Sequence, residues 1–247
     1  MNSSETRVVL QKETIVADEQ DALRVKALEI YKRLTRHYGE RALVPRREPL
    51  QELIMTMLSQ RTTWQNEALA FQRMWGHYGS WEAIRDADIN ELTALIAPSN
   101  YAEVKAPHIK AILARIIQEQ GAPTIDFLAA LPTEEGLNWL LSLPGVGIKT
   151  ASLVLLFCFS KPIMPVDTHV HRVSQRTGLI DVKVTPEKAH NLLLDMLPND
   201  PYWLYNFHVS AMKHGQQLCK WSNPVCERCP LTALCDYYQS LLSPNVP

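Results

Sequence analysis

Residues 143–151 read Leu143-Pro144-Gly145-Val146-Gly147-Ile148-Lys149-Thr150-Ala151. An apolar helical stretch ending Leu140-Leu141-Ser142-Leu143 runs into this segment, and a second leaves it through Ala151, Val154, Leu155 and Phe157. The pattern is two helices joined by a hairpin. Glycines at 145 and 147 let the backbone turn tightly and approach a ligand closely, while the N–H groups opening the second helix lack partners within it. Such a turn suits a phosphate. It would grip the sugar-phosphate backbone of duplex DNA without reading sequence. A tight interhelical connection with no ligand would carry the same signature.

Lys149 falls in the first turn of the second helix, where the helix dipole opposes positive charge and favours the neutral, nucleophilic amine. Asp167 follows eighteen positions later, after the loop 161–166 and before Thr168-His169-Val170-His171-Arg172-Val173. There it either caps another helix or faces the lysine across a pocket. A phosphate-binding lysine and an N-cap aspartate are the plainer readings of the two residues.

Outward from the hairpin, apolar residues recur three and four apart. Leu23, Ala27, Ile30, Leu34 and Tyr38 form one stripe, ended by Gly39; Leu50, Leu53, Ile54, Met57 and Leu58 form another, opened by Pro49. Thr63 is placed to cap a helix carrying Trp64, Ala68, Phe71, Trp75 and Tyr78, with Gly79 closing it. Ile109, Ile112, Leu113, Ile116 and Ile117 lead to Gly121. Strand alternation and solenoid repeats are absent, so the fold class is all-α.

No apolar run in the 247 residues is long enough to cross a bilayer, and Met1 to Gln20 lack the look of a secretory or transit signal. The net charge of −1 requires any nucleic-acid surface to be a local arrangement. Five cysteines without an export signal point to metal ligation or buried thiols. Cys158 sits in an apolar run and reads as core. Cys219, Cys226, Cys229 and Cys235 form C-x6-C-x2-C-x5-C within seventeen residues, a spacing that suits a four-thiolate zinc site or an iron-sulfur cluster equally.

Together the hairpin segment, Val166-Asp167-Thr168-His169-Val170-His171-Arg172-Val173, and His214-Gly215 ahead of the cysteine quartet resemble the endonuclease III family of helix-hairpin-helix glycosylases, over roughly Leu50 to Tyr237. The resemblance implies a two-domain fold with the active site in the cleft between. A central helical-barrel domain is expected at 45–161, and a discontinuous iron-sulfur domain at 17–44 and 162–240. Residues 1–16 are expected to be disordered and 241–247 frayed. It also implies a 4Fe-4S cluster on Cys219, Cys226, Cys229 and Cys235, Lys149 as Schiff-base nucleophile and Asp167 as catalytic carboxylate.

By the same resemblance Gln60 fills the gap left by an extruded nucleotide, and Gly145, Val146, Gly147, Thr150 and His169 contact DNA. Arg61 stands where the family usually has a small residue. The loop Pro98-Ser99-Asn100-Tyr101 replaces a glycine-containing wedge loop, and its wedge residue is not assigned. The implied activity is base-excision glycosylase with abasic-site lyase on double-stranded DNA, by a monomer, in a bacterial or archaeal cytoplasm or a eukaryotic nucleus. The alternatives are a non-catalytic lesion-binding paralogue and a monofunctional glycosylase.

Overall fold

The computed structural model describes residues 3–243, and among them every regular element is an α-helix or a short 3-10 turn, with no β-strand. In chain order the helices are α1 (Ser3–Tyr38), α2 (Pro49–Leu58), α3 (Trp64–Tyr78), α4 (Trp81–Asp86), α5 (Ile89–Ile96) and α6 (Ala102–Gln120). They continue as α7 (Thr133–Leu141), α8 (Ile148–Phe159), α9 (Thr168–Arg176), α10 (Pro186–Met196), α11 (Pro201–Gln217) and α12 (Asp236–Leu242). No helix among the described residues is long and apolar enough to cross a membrane.

The chain divides into two compact units, one of Met1–Ala42 with Val166–Pro247, the other of Leu43–Pro165. The segment 1–16, expected to lack structure, carries helical backbone from Ser3 onward. Once the packed turns around Ala27, Ile30 and Leu34 exist, a helix propagates from them without a new nucleus. Residues 1–2, and 244–247 of the tail expected to fray, lie outside the described part.

In the continuous unit the punctuation follows local chemistry. Pro49 opens α2, the Thr63 hydroxyl accepts from the Asn66 amide at the start of α3, and Gly79 closes α3 at φ 72°. Ser80 and Asp88 cap α4 and α5 in the same way, each such cap stabilising by about 1 kcal/mol. Helix α8 is buried along seven successive residues, Thr150 to Leu156, which marks it as the element the others wrap. It packs on α2 and α7, while α6 lays Ile109, Ile112, Leu113 and Ile116 against α4 and α5.

The discontinuous unit forms where α1 meets α11 and α10 and where α9 meets α11. Tyr31 stacks on Trp203 at 4.3 Å between ring centroids, and the Asn206 side chain brackets both backbone groups of Arg41. Thr185-Pro186 and Asp200-Pro201 open α10 and α11 as cap-and-proline pairs.

Cys158 sits near the end of α8, where burial pushes its thiol up to about 12. At pH 8 only about one molecule in ten thousand then carries the thiolate. Iodoacetamide is expected to label Cys158 at least about a hundredfold more slowly in the native protein than in urea, read by peptide mass mapping. Equal rates would place the thiol outside the packed environment of α8.

Candidate active site

The hairpin is built by two backbone requirements. After α7 ends at Ser142, the Val146 amide returns to the Leu143 carbonyl at 3.3 Å, and Gly145 takes φ +74°. A Cβ on Gly145 would lie 2.5 Å from His108 Nδ1, so both conformation and space demand glycine. Gly147 differs: its φ is −97°, and a Cβ there would meet nothing within 4 Å. It is the N-cap of α8 and no side chain caps the helix, which leaves the first-turn amides open to a ligand. Gly145 and Gly147 are exposed, whereas Val146 and Thr150 bury their side chains.

Gln60 reaches this turn from the end of α2. Its Nε2 donates to the Gly145 carbonyl at 3.2 Å and lies 3.5 Å from Thr150 Oγ1. The Thr150 hydroxyl is thus engaged inside the unit and only its amide belongs to the open turn. Lys149 is half-buried in the first turn of α8.

Glu67 of α3 senses Lys149 as well, a relation with no signal in the sequence. Burial raises its carboxyl above the usual range, against the pull of Arg47, and Lys149 and Lys105 also favour its ionised form. Arg47 is itself paired with Glu52 at 2.9 Å.

Asp167 belongs to the other unit and is the N-cap of α9. Its Oδ1 accepts from the His169 amide at 2.9 Å and the Val170 amide at 2.7 Å. The capping reading is therefore realised, and it also fixes the carboxylate in one orientation while Oδ2 takes no part in either bond. His169 Nδ1 lies 3.1 Å from Arg172 Nη2, and the Arg172 guanidinium donates on to the carbonyls of Cys219 and Gly215, each at 2.8 Å. Arg176, one turn later, donates to Cys219 Sγ at 3.3 Å and to the carbonyls of Lys220 and Trp221. Two arginines thereby fasten the helix capped by Asp167 to the cysteine loop. Lys220 and Arg228 of that loop are exposed.

Cys219, Cys226, Cys229 and Cys235 line one small, mostly apolar pocket. Among the described residues no group of three His, Cys, Asp or Glu could hold a metal ion as the side chains stand. The Leu231 amide donates to Cys229 Sγ at 3.4 Å, and His214 Nε2 lies 3.4 Å from the same sulfur. Tyr38 Oη approaches His214 Nδ1 at 3.1 Å. Burial pushes the Cys229 thiol up to about 11 and holds His214 down at about 4, so the ring is neutral at pH 7.

Comparison with known proteins places these features in a family. Residues 54–199 match the model of the HhH-GPD superfamily base excision DNA repair protein. Endonuclease III of Thermotoga maritima is 37% identical over 213 residues, covering 86% of this chain and 92% of that protein. Endonuclease III of Rickettsia conorii is 34% identical over 189 residues, covering 76% and 84%. The solved structure of a non-covalent Endonuclease III-DNA complex superposes with a TM-score of 0.76 at 24% identity, covering 89% of this chain and 98% of the other.

The two hairpin glycines are expected to separate on substitution. Gly145→Ala meets the His108 ring and a left-handed φ, and should cost about 1–3 kcal/mol in urea denaturation. Gly147→Ala should change stability by less than about 0.5 kcal/mol, because its Cβ enters open space. Equal losses would contradict the hairpin geometry.

Proposed function

Because the chain belongs to the endonuclease III family within the HhH-GPD superfamily of base excision DNA repair proteins, we propose a division of labour among its residues for a glycosylase with abasic-site lyase activity on double-stranded DNA. One observation carries it: a half-buried lysine stands in the first turn of α8, next to an uncapped glycine turn. Peptide amides at Gly147 and the start of α8 hold a backbone phosphate, and Gln60 occupies the space of the extruded nucleotide. Val146 and Thr150 contribute backbone, not side chains, and His169 steadies the Asp167 end of α9.

The target nucleotide leaves the stack, since its C1′ cannot be reached inside the duplex. Lys149 Nζ attacks C1′ through its lone pair as the glycosidic bond breaks, and the base departs with a proton from the amine. Asp167 offsets the positive charge on the sugar at that moment. The amine becomes an imine with the opened sugar; loss of a C2′ proton then breaks the C3′–O bond and cuts the strand 3′ to the lesion. Water hydrolyses the imine and restores Lys149.

The cysteine cavity is assigned to a 4Fe-4S cluster held by Cys219, Cys226, Cys229 and Cys235. Four cysteine sulfurs lining one cavity are the donor set a 4Fe-4S cluster requires. Donors from Arg176 and Leu231 suit thiolate sulfur. When bound, the cluster supplies the cross-link that orders this loop. The protein works where its DNA is, in a bacterial or archaeal cytoplasm or a eukaryotic nucleus.

Borohydride with abasic duplex should trap a covalent complex on a denaturing gel. Lys149→Ala should abolish it while DNA binding persists, and Asp167→Asn should slow base release by on the order of a hundredfold. Normal trapping by Lys149→Ala overturns the nucleophile; a wild type that binds DNA but never traps favours the lesion-binding paralogue.

The purified protein should be brown with about four irons per chain, and Cys226→Ser should lower the melting temperature of the loaded protein. Stoichiometric zinc in an active, colourless preparation overturns the cluster assignment.

A further inference from the structure

Lys105 is among the most buried charged residues described, at 4% exposure, and all three of its N–H donors are spent on carbonyls. Nζ donates to Leu58 at 2.8 Å, Gln60 at 2.8 Å and Ser99 at 2.6 Å. Leu58 is the last residue of α2, whose final carbonyls lack helical partners, Gln60 follows just past its C-cap, and Ser99 ends the 3-10 turn Ala97–Ser99. One ammonium therefore joins two loops that are 39 residues apart, measured from Arg61 to Asn100.

Two further links join the same loops. Asn100 Nδ2 donates to the Arg61 carbonyl at 3.1 Å, and the Arg61 guanidinium lies 5.4 Å from the centre of the Tyr101 ring. Arg61, Asn100 and Tyr101 all have positive φ, at 54°, 59° and 51°. Non-glycine residues hold that conformation only when their surroundings impose it, and such clusters collect at working surfaces. Asn100 is exposed, and Tyr101 is 51% exposed. Through Gln60 the joined loops also connect to Gly145 in the hairpin turn.

We propose that Lys105 is a positioning residue for nucleotide extrusion: it clasps the Gln60–Arg61 loop and the Ser99–Tyr101 loop into one rigid wedge, held in register with the phosphate-gripping turn. This rests on the glycosylase reading. Three carbonyls converging on one point need a compact ammonium; a planar guanidinium directs its donors in a fixed fork and a neutral side chain leaves the carbonyls unmatched. Burial pushes Lys105 down to about 8, with Glu67 acting in the opposite direction, so the clasp retains its charge at pH 7.

The test uses a duplex with a tetrahydrofuran abasic analogue opposite 2-aminopurine, whose fluorescence reports loss of stacking, mixed with the intact protein in stopped flow. At saturating protein, Lys105→Met should slow the fluorescence change at least tenfold, and Lys105→Arg should not restore it. A lysine needed only for stability would lower the melting temperature and leave the rate at saturation intact, and that result overturns the proposal. Should Lys105→Met not fold, Asn100→Gly accommodates the positive φ and removes one link. It is expected to be at least threefold slower, and a wild-type rate would then overturn the clasp. Wild-type protein that unstacks the probe yet never traps abasic DNA would sink the glycosylase reading while the clasp stands.

Discussion

A side chain at position 145 would need a left-handed backbone and space held by the His108 ring, so the turn between α7 and α8 is least strained with glycine there. That tight turn fixes where α8 begins, and with it the position of Lys149 and the direction of the uncapped amides. Gly147 needs no comparable freedom, with an ordinary φ and open space around its Cα. Its value lies outward: the absent side chain leaves room for something larger than water to approach the helix start. The same turn gives Gln60 a carbonyl to hold, so the residue assigned to the vacated nucleotide is referenced to the phosphate grip by one hydrogen bond.

In the discontinuous unit the cysteine loop and the Asp167 cap are mechanically joined. Arg172 and Arg176 leave α9 one turn apart and bind four backbone carbonyls and one sulfur of the segment Gly215–Trp221. The Cys235 thiol returns the connection by donating to the Arg176 carbonyl at 3.2 Å. Burial raises the thiols at Cys226, Cys229 and Cys235, a preference that a cationic centre bound to the sulfurs inverts. Whatever orders the loop therefore also steadies the helix whose N-cap is the proposed catalytic carboxylate.

Features fixed by neighbours in the chain were legible in the sequence. Thr63, Gly39, Gly79 and Pro49 act at helix ends as their chemistry dictates, and the hairpin falls where two glycines follow Pro144. Asp167 was readable as cap or catalyst, and local geometry makes it the cap without removing it from chemistry. Lys105, Glu67 and Arg172 were not legible. Lysine in a helix usually extends into water, and nothing near position 105 announces that carbonyls from residues 58, 60 and 99 converge around it. Glu67 likewise acquires its raised carboxyl pKa from packing across α3, and Arg172 its partners from 43 and 47 residues away. Helices α10 and α11 open on Thr185-Pro186 and Asp200-Pro201, cap-and-proline pairs whose chemistry is local to the chain.

A protein with net charge −1 that holds a polyanion must do so without a broad cationic field. Peptide amides at a helix start answer that constraint, since their partial charges are fixed by geometry and leave the overall balance untouched. The cost moves into the backbone instead. Three of the non-glycine residues at positive φ among the described residues, Arg61, Asn100 and Tyr101, sit in two neighbouring loops of the unit that carries the hairpin. At about 1 kcal/mol or more for each such conformation, the loops would relax if either were independent. They are held because a buried ammonium binds carbonyls in both, and releasing it would strand a charge with little access to water. Strain at the surface and desolvation in the core thus lock one another, which gives two exposed loops the rigidity that prying a nucleotide out of its stack demands.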